Sequence, residues 1–371
     1  MMFDRRLLEN FDWIFLCLVL ALSAVGVVNL YSASAGFNSG GTPVYLKQLY
    51  FICLGLCILL VILFVDYHYL KDPAYFFYAV SILLLLAVLV IGKQTSGSQR
   101  WINLGFFNLQ PSELAKIAVI LALAKYFSRR EYPQGIGFKG LVVPALIMGV
   151  PFLLILKQPD LGTAMHLAFI CLSILMFLRI RKAVMVVLGL GVAVALPFAW
   201  HFLKAYQKQR IVTFLYPEQD PLGAGYHIIQ SKIAVGSGQF WGKGFMKGTQ
   251  SQLQFLPEQH TDFAFSVFAE EWGFIGSAVL LVLFFLLILM GLRIVIRSQD
   301  RFGAILALGV VSLMFWQLLI NISMVTGLVP VVGIPLPFIS YGGSSLVTVF
   351  ICAGLLLNIS MRRFLFQETG N

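Results

Sequence analysis

Ten stretches of about twenty mostly apolar residues recur along this chain, at 11–33, 46–65, 73–92, 111–129, 139–157, 160–179, 182–203, 263–292, 302–326 and 339–361. At about 1.5 Å of rise per residue, a helix of that length crosses a hydrocarbon layer about 30 Å thick. Inside such a layer water offers the backbone no partner, so the chain must satisfy its own N–H and C=O groups. The expected fold is therefore an all-α polytopic membrane protein of about ten transmembrane helices. Residues 1–371 are expected to form one integral membrane domain.

Composition supports this reading, since 59% of the 371 residues are hydrophobic and only 11% are charged. A soluble enzyme, a secreted disulfide scaffold and a disordered adaptor are excluded on that ground. The net charge of +10 raises the question of nucleic acid, yet the 26 Lys and Arg are scattered between apolar runs and form no basic face. No nucleic-acid partner is expected. Cys17, Cys53, Cys57, Cys171 and Cys352 all fall within apolar runs, which argues against a disulfide framework or a thiolate metal site. Although Ser32-Ala33-Ser34-Ala35 resembles a cleavage site, the first run exceeds a signal-peptide core and nine more follow. It is read as an uncleaved span.

Lys and Arg concentrate in short cytoplasmic loops. With the N-terminus in the cytoplasm, fifteen fall inside, including Arg5, Arg6, Arg129, Arg130, Arg179, Arg181, Arg293, Arg297, Arg362 and Arg363. The short outer loops then hold only Lys47, Lys93, Arg100 and Lys157. Both termini are expected in the cytoplasm. Residues 204–262 become a large extracytoplasmic loop between helices 7 and 8, long enough to be exempt from the charge rule.

This topology gathers the polar chemistry on the outer face. The 93–110 loop carries Arg100 and feeds a helix opening Gln110-Pro111-Ser112-Glu113-Leu114-Ala115-Lys116. Pro at the first helical position and an acid in the first turn suit a helix start. Lys116 then lies about 8 Å along that helix, where an unpaired ammonium costs roughly 3 kcal/mol. Glu113 is one turn away, and Asp160 of Gln158-Pro159-Asp160-Leu161-Gly162-Thr163 is expected at a matching depth. A purely structural ion pair between two helices remains an open reading.

In the long loop, Gly225–Gly238 and Trp241-Gly242-Lys243-Gly244 are glycine-rich but lack the strand and helix context of a nucleotide fingerprint. The loop ends in Pro257-Glu258-Gln259-His260-Thr261-Asp262-Phe263, with Glu270 and Glu271 two turns further on. Thr261 or Asp262 either caps the next helix and does nothing more, or Asp262 does chemistry. No second histidine stands at ligand spacing from His260, so zinc is unsupported. The segment 326–345 is apolar, uncharged, and broken by Pro330, Pro335 and Pro337 before Ser340-Tyr341-Gly342-Gly343. Irregular backbone at membrane depth survives only where protein buries it or it lines a cavity, so it is expected to line a cleft for a lipid headgroup. A transporter's broken helix has a similar appearance.

In this order the segments resemble the signatures of the SEDS family (shape, elongation, division and sporulation) of bacterial cell-wall proteins. The resemblance runs through essentially the whole chain. It is carried by Arg100-Trp101-Ile102, Gln110-Pro111-Ser112-Glu113 with Lys116, Gln158-Pro159-Asp160-Leu161-Gly162-Thr163, Pro257–Phe263, and Pro335-Leu336-Pro337-Phe338-Ile339-Ser340-Tyr341-Gly342-Gly343. Gln158-Pro159-Asp160 and Gln259 look like the elongation branch more than the division branch. Ala264, where the family has isoleucine before the phenylalanine, is a conservative departure.

The resemblance implies a peptidoglycan glycosyltransferase. It would join lipid II into glycan strands at the outer face of the bacterial cytoplasmic membrane, during elongation and rod-shape maintenance. Implied partners are lipid II, membrane lipid, a class B penicillin-binding protein that cross-links the strands, and other elongation-complex proteins. Asp262 is the implied base. Arg100, Lys116 and Arg210 are the candidate pyrophosphate cations, Glu113 and Asp160 would hold Lys116, and Ser340, Tyr341, Gly342 and Gly343 would line the cleft. No cofactor is required by the sequence, and a divalent cation, Mg or Mn, would suit the oxygens of pyrophosphate. The rival reading is a lipid II flippase, which needs polar residues along a route through the bilayer; here they gather at one end.

Overall fold

The computed structural model describes residues 9–35, 42–95, 98–103, 105, 108–202, 205–220 and 223–363. Arg5, Arg6 and Lys204 of the charge count lie outside these residues. All ten apolar segments are helical: α1 (Trp13–Ser34), α2 (Val44–Phe64), α3 (Ala74–Ile91), α4 (Pro111–Ser128), α5 (Phe138–Lys157), α6 (Leu161–Phe177), α7 (Lys182–Phe202), α11 (Ala264–Arg297), α12 (Arg301–Val325) and α13 (Gly343–Arg362). Seven of these are long and apolar enough to cross a membrane: α1, α2, α3, α5, α11, α12 and α13. Charged Glu113, Lys116 and Lys125 set α4 apart, and α6 is shorter, at 17 residues. The chain is an all-α, multi-pass membrane protein.

Local chemistry explains where the helices begin. Asp12, Asp160 and Asp300 each accept a backbone N–H from the first turn of α1, α6 and α12, at 2.9–3.2 Å, which satisfies donors that a helix start leaves unpaired. Pro111 occupies the first turn of α4, where its missing N–H costs nothing.

The three helices α4, α12 and α13 form the centre. From Pro111 to Phe127 every residue of α4 except Leu114 is buried. A helix apolar around its whole circumference belongs inside a protein. Around it, α1, α2, α3, α5 and the second half of α11 turn Leu, Val, Ile and Phe side chains outward, among them Leu83, Val90, Phe285 and Ile296. That is the surface a membrane solvates.

Three features were not expected from the sequence. The 93–110 loop is an antiparallel sheet of β1 (Lys93–Thr95), β2 (Ser98–Asn103) and β3 (Asn108–Leu109), with Lys93 opposite Trp101 and Ile102 opposite Leu109. The long loop is largely helical, with α8 (Ala205–Leu215), α9 (Ala224–Ser237) and the single turn α10 (Thr249–Gln252). Lastly, α11 is broken at Gly273, whose φ of 63° and ψ of −160° are open to glycine alone.

The broken ends of α11 are sealed by the loop. Lys243 N and Gly244 N donate to the carbonyls of Glu270 and Glu271, while Phe274 N and Ile275 N donate to Gln239 and Phe240. The half-helix before the break lies along the end of α1: Asn29 Nδ2 donates to Ala264 O, Ser32 Oγ to Glu271, and Gln259 Nε2 to Ala33 O. Residues 274–297 remain for crossing, about 36 Å of helix. The apolar helix begins at Ala264, as the expected 263–292 has it, with an unexpected break at Gly273.

Candidate active site

Asp262 stands two residues before α11, and it does not cap it. The capping position is Phe263, with no side-chain hydrogen bond, and this removes the reading of Asp262 as a helix cap. Its carbonyl accepts from Asn321 Nδ2 at 2.9 Å, and the same amide nitrogen donates at 2.8 Å to Ile334 O in the proline-rich segment. Tyr341 N donates to His260 O at 2.8 Å and ties the two segments again. Facing the carboxylate is Gly333, with φ of +72°, where an added Cβ would lie 3.3 Å from Asp262 Oδ2. The absence of a side chain there keeps the carboxylate approachable.

Burial pushes the Asp262 carboxyl up to about 6, and the charge of Glu258 adds to the shift. Arg100 and Arg210 pull the other way, with a smaller upward push from Asp160. Two guanidiniums thus act on one recessed carboxylate, from β2 and from α8. Arg100 is held in place by Pro159 O at 2.6 Å through Nη2 and by Asp160 Oδ2 at 3.5 Å from Nε.

Asp160 is therefore not where the sequence reading put it. Its Oδ1 accepts from Thr163 N at 3.1 Å, and its Oδ2 accepts from Thr163 Oγ1 at 2.9 Å while facing Arg100. The turn at Pro159 folds the side chain back onto the first turn of α6, so it caps that helix and braces Arg100. Lys116 is left to Glu113, at 2.8 Å, and to His166 Nδ1, at 3.5 Å. Since His166 Nε2 sits 2.9 Å from Leu313 O, which can only accept, Nε2 carries the proton and Nδ1 is the acceptor. Lys116 is only 1% exposed. It is enclosed by α4, α6 and α12, away from the charges that act on Asp262. His166 escaped sequence reasoning; its one signal was a lone histidine in an apolar run, an expensive residue at membrane depth.

The Ser340–Gly343 segment serves mainly to hold the irregular backbone. Ser340 is buried and its Oγ accepts from Leu336 N at 2.9 Å, a donor that no helix satisfies, so it pins a turn and does not line a cleft. Gln48 Nε2 donates to the carbonyls of Phe338 and Ser340. Gly343 lies under the Phe51 ring, where a Cβ would come within 2.5 Å of a ring carbon. Tyr341 and Gly342 are half-buried. Glu270, fully buried, accepts from Lys243 Nζ at 2.7 Å, Thr249 Oγ1 at 3.1 Å and Gln250 N at 3.1 Å, and so secures the loop to the half-helix. Among the described residues no group of three His, Cys, Asp or Glu side chains could hold a metal ion.

A multi-pass helical membrane protein with a recessed carboxylate, two arginines acting on it and an unwound proline-rich wall defines a class of integral membrane proteins with a site at one end of the bundle. The chain belongs to the cell cycle protein family of FtsW, RodA and SpoVE, whose match spans residues 12–364. It is 42% identical over 361 residues to the peptidoglycan glycosyltransferase MrdB of Escherichia coli (strain K12), covering 97% of this chain and 96% of that protein. It is 34% identical over 435 residues to the peptidoglycan glycosyltransferase RodA of Treponema pallidum (strain Nichols), covering 96% and 99%. Among solved structures it resembles a chain of a peptidoglycan synthase complex that coordinates polymerization and crosslinking. The TM-score is 0.82 and the identity 32%, over 95% of this chain and 98% of that one. The family read from the sequence motifs is thus the family the chain belongs to.

Proposed function

We propose that this protein is a peptidoglycan glycosyltransferase that polymerises lipid II at the outer face of the bacterial cytoplasmic membrane during cell elongation, with both termini in the cytoplasm. The observation that carries this reading is the Asp262 carboxylate, which caps no helix, faces the bare Gly333 backbone and lies in the field of two arginines.

The donor sugar of lipid II is linked to a polyprenyl pyrophosphate, already a good leaving group, so no general acid is needed, unlike the paired carboxylates of glycosidases. The acceptor hydroxyl oxygen bonds to the anomeric carbon, the bond from that carbon to the pyrophosphate oxygen breaks, and its electron pair leaves with the pyrophosphate. Asp262 takes the hydroxyl proton, a task suited to a carboxylate whose pKa lies near the working pH. Arg100 and Arg210 stabilise the charge that develops on the departing pyrophosphate. Lys116, sealed against Glu113 and His166, acts through the packing of α4, α6 and α12. A magnesium or manganese ion is proposed only as a companion of the pyrophosphate oxygens.

The cross-linking partner is proposed to be a class B penicillin-binding protein. The resemblance to a chain of a polymerizing and crosslinking complex supports this. Added to the purified chain, that partner is expected to raise glycan yield several-fold by ordering the long loop; equal yields with and without it would remove the proposal. The activity itself is tested by incubating purified protein with lipid II and separating the products by length. Long glycan from the wild type and none from Asp262→Asn supports the assignment. Long glycan from both would overturn it.

A further inference from the structure

We infer that Asn321 is a positioning residue for Asp262, setting the width of the gap between that carboxylate and the Gly333 backbone. The inference rests on the reading of Asp262 as the base.

Asn321 lies one turn before the end of α12 and is completely buried. A carboxamide at that depth is costly unless its groups are used. Both of its amide hydrogens are: Nδ2 donates to Asp262 O at 2.9 Å and to Ile334 O at 2.8 Å. Both acceptors are carbonyls, which settles the orientation of the amide. Its own oxygen is buried without a hydrogen-bond partner. The side-chain oxygens of Gln317 and Gln48 are buried in the same way, so what distinguishes Asn321 is the pair of carbonyls it holds.

Neighbouring carboxamides show what a purely structural version does. Gln317, one turn earlier on α12, donates to Pro335 O at 2.9 Å and Ser345 Oγ at 3.0 Å. Gln48 reaches Phe338 O and Ser340 O. Each supplies the unwound segment with donors that membrane depth denies it, but both keep to the region 335–345. Asn321 spans the site: one hydrogen holds the residue that carries the base, and the other holds the residue next to Gly333. With the Tyr341 N to His260 O bond, this side chain on a central helix sets the backbone carrying Asp262 against the backbone carrying Gly333.

The acceptor hydroxyl has to enter that gap and come within about 2.6–3.2 Å of the base. A displacement of about 1 Å costs on the order of 10²-fold in a positioned reaction. Opening the gap also admits water to the carboxylate, which weakens the burial that lifts its pKa. The other groups acting on it are Glu258, in the same loop, and Asp160 upward, and Arg100 and Arg210, from β2 and α8, downward.

The test uses the full chain with its cross-linking partner and compares Asn321→Leu, which keeps the shape and removes both donors, with Asn321→Gln, which keeps the donors one carbon further out. Asn321→Leu is expected to lower kcat by tenfold or more with little change in KM for lipid II. The acid limb of its pH–rate profile should move below that of the wild type, toward the ordinary carboxylate range. Asn321→Gln, whose donors sit one carbon further out, should retain more turnover than Asn321→Leu and still fall below the wild type, with its acid limb moved the same way. A wild-type kcat and an unmoved acid limb in Asn321→Leu overturn the inference. If Asn321→Leu does not survive extraction, Asn321→Gln is read alone, and its unchanged kcat and limb overturn it equally. Asp262→Asn run in parallel separates the two claims: an active Asp262→Asn sinks the base itself, whereas an inactive one beside a normal Asn321→Leu sinks only the positioning role.

Discussion

Two charge clusters among the described residues, Glu113 with Lys116 and Asp262 with its arginines, are built in opposite ways. Glu113 and Lys116 sit one turn apart on a regular helix, 2.8 Å from each other, with neutral His166 completing the enclosure. Asp262 sits between two irregular segments, beside a glycine, in the field of arginines brought from a small sheet and from a loop helix. The first cluster matches its charges locally, so it can be sealed and forgotten by solvent. The second leaves a carboxylate partly uncompensated, with a raised pKa and a bare glycine backbone facing it. A group kept in that condition at the expense of stability is the usual mark of chemistry.

The largest expected effect breaks the comparison at its reactive half. Asp262→Asn keeps the size of the side chain and cannot take a proton, so turnover should fall by about 10² or more while the purified protein still binds its partner. Had Asp262 been a cap, Asn would have replaced it at almost no cost; the absence of any capping bond already separates the two cases structurally.

Next in size is Lys116→Ala. It strands the Glu113 carboxylate in the interior, and breaking a buried pair from one side costs on the order of 3–5 kcal/mol. Lower thermal stability in detergent should accompany any loss of activity, and Glu113→Gln with Lys116→Ala should recover part of the stability. Loss of activity with an unchanged melting temperature would move Lys116 from the sealed cluster to the reactive one.

A smaller effect sharpens the contrast through pH. Because the folded-state pKa of Asp262 is raised, the folded protein holds that proton more tightly than the unfolded chain does, and the stability this confers is lost as pH rises from the ordinary carboxylate range through about 6. Asp262→Asn should therefore melt above the wild type at pH 7–8, and the difference should shrink toward pH 4. A mutant that melts lower than the wild type at neutral pH would show the carboxylate to be a stabilising partner after all.

These contrasts were unequally legible in the sequence. The ten helices follow from hydropathy, and Glu113 with Lys116 follows from helical spacing, because both depend on residues close together in the chain. Asp160 was placed at the right end of the molecule but against the wrong cation: spacing along a helix gives depth, and cannot say that Thr163 and Arg100 claim its oxygens. The break at Gly273 was hidden, since one glycine in an apolar helix costs only about 1 kcal/mol and carries no signal that loop residues 239–244 will seal it. The approach of Arg210 to Asp262 depends on the fold of the long loop, whose helices lie under glycines and polar residues that read as irregular. Asn321 is a single carboxamide in an apolar run, and its role is visible only when both carbonyls it holds are seen together.

The central claim is that Asp262 acts as the base in its ionised form, and the pH dependence of polymerisation tests it most directly. Initial rates of glycan synthesis from lipid II, measured on the partnered protein under conditions where it stays folded, should show an acid limb of unit slope centred at about pH 6. Rates that stay constant down to pH 4.5 would contradict the account, because a carboxylate raised by burial would by then be protonated in most molecules.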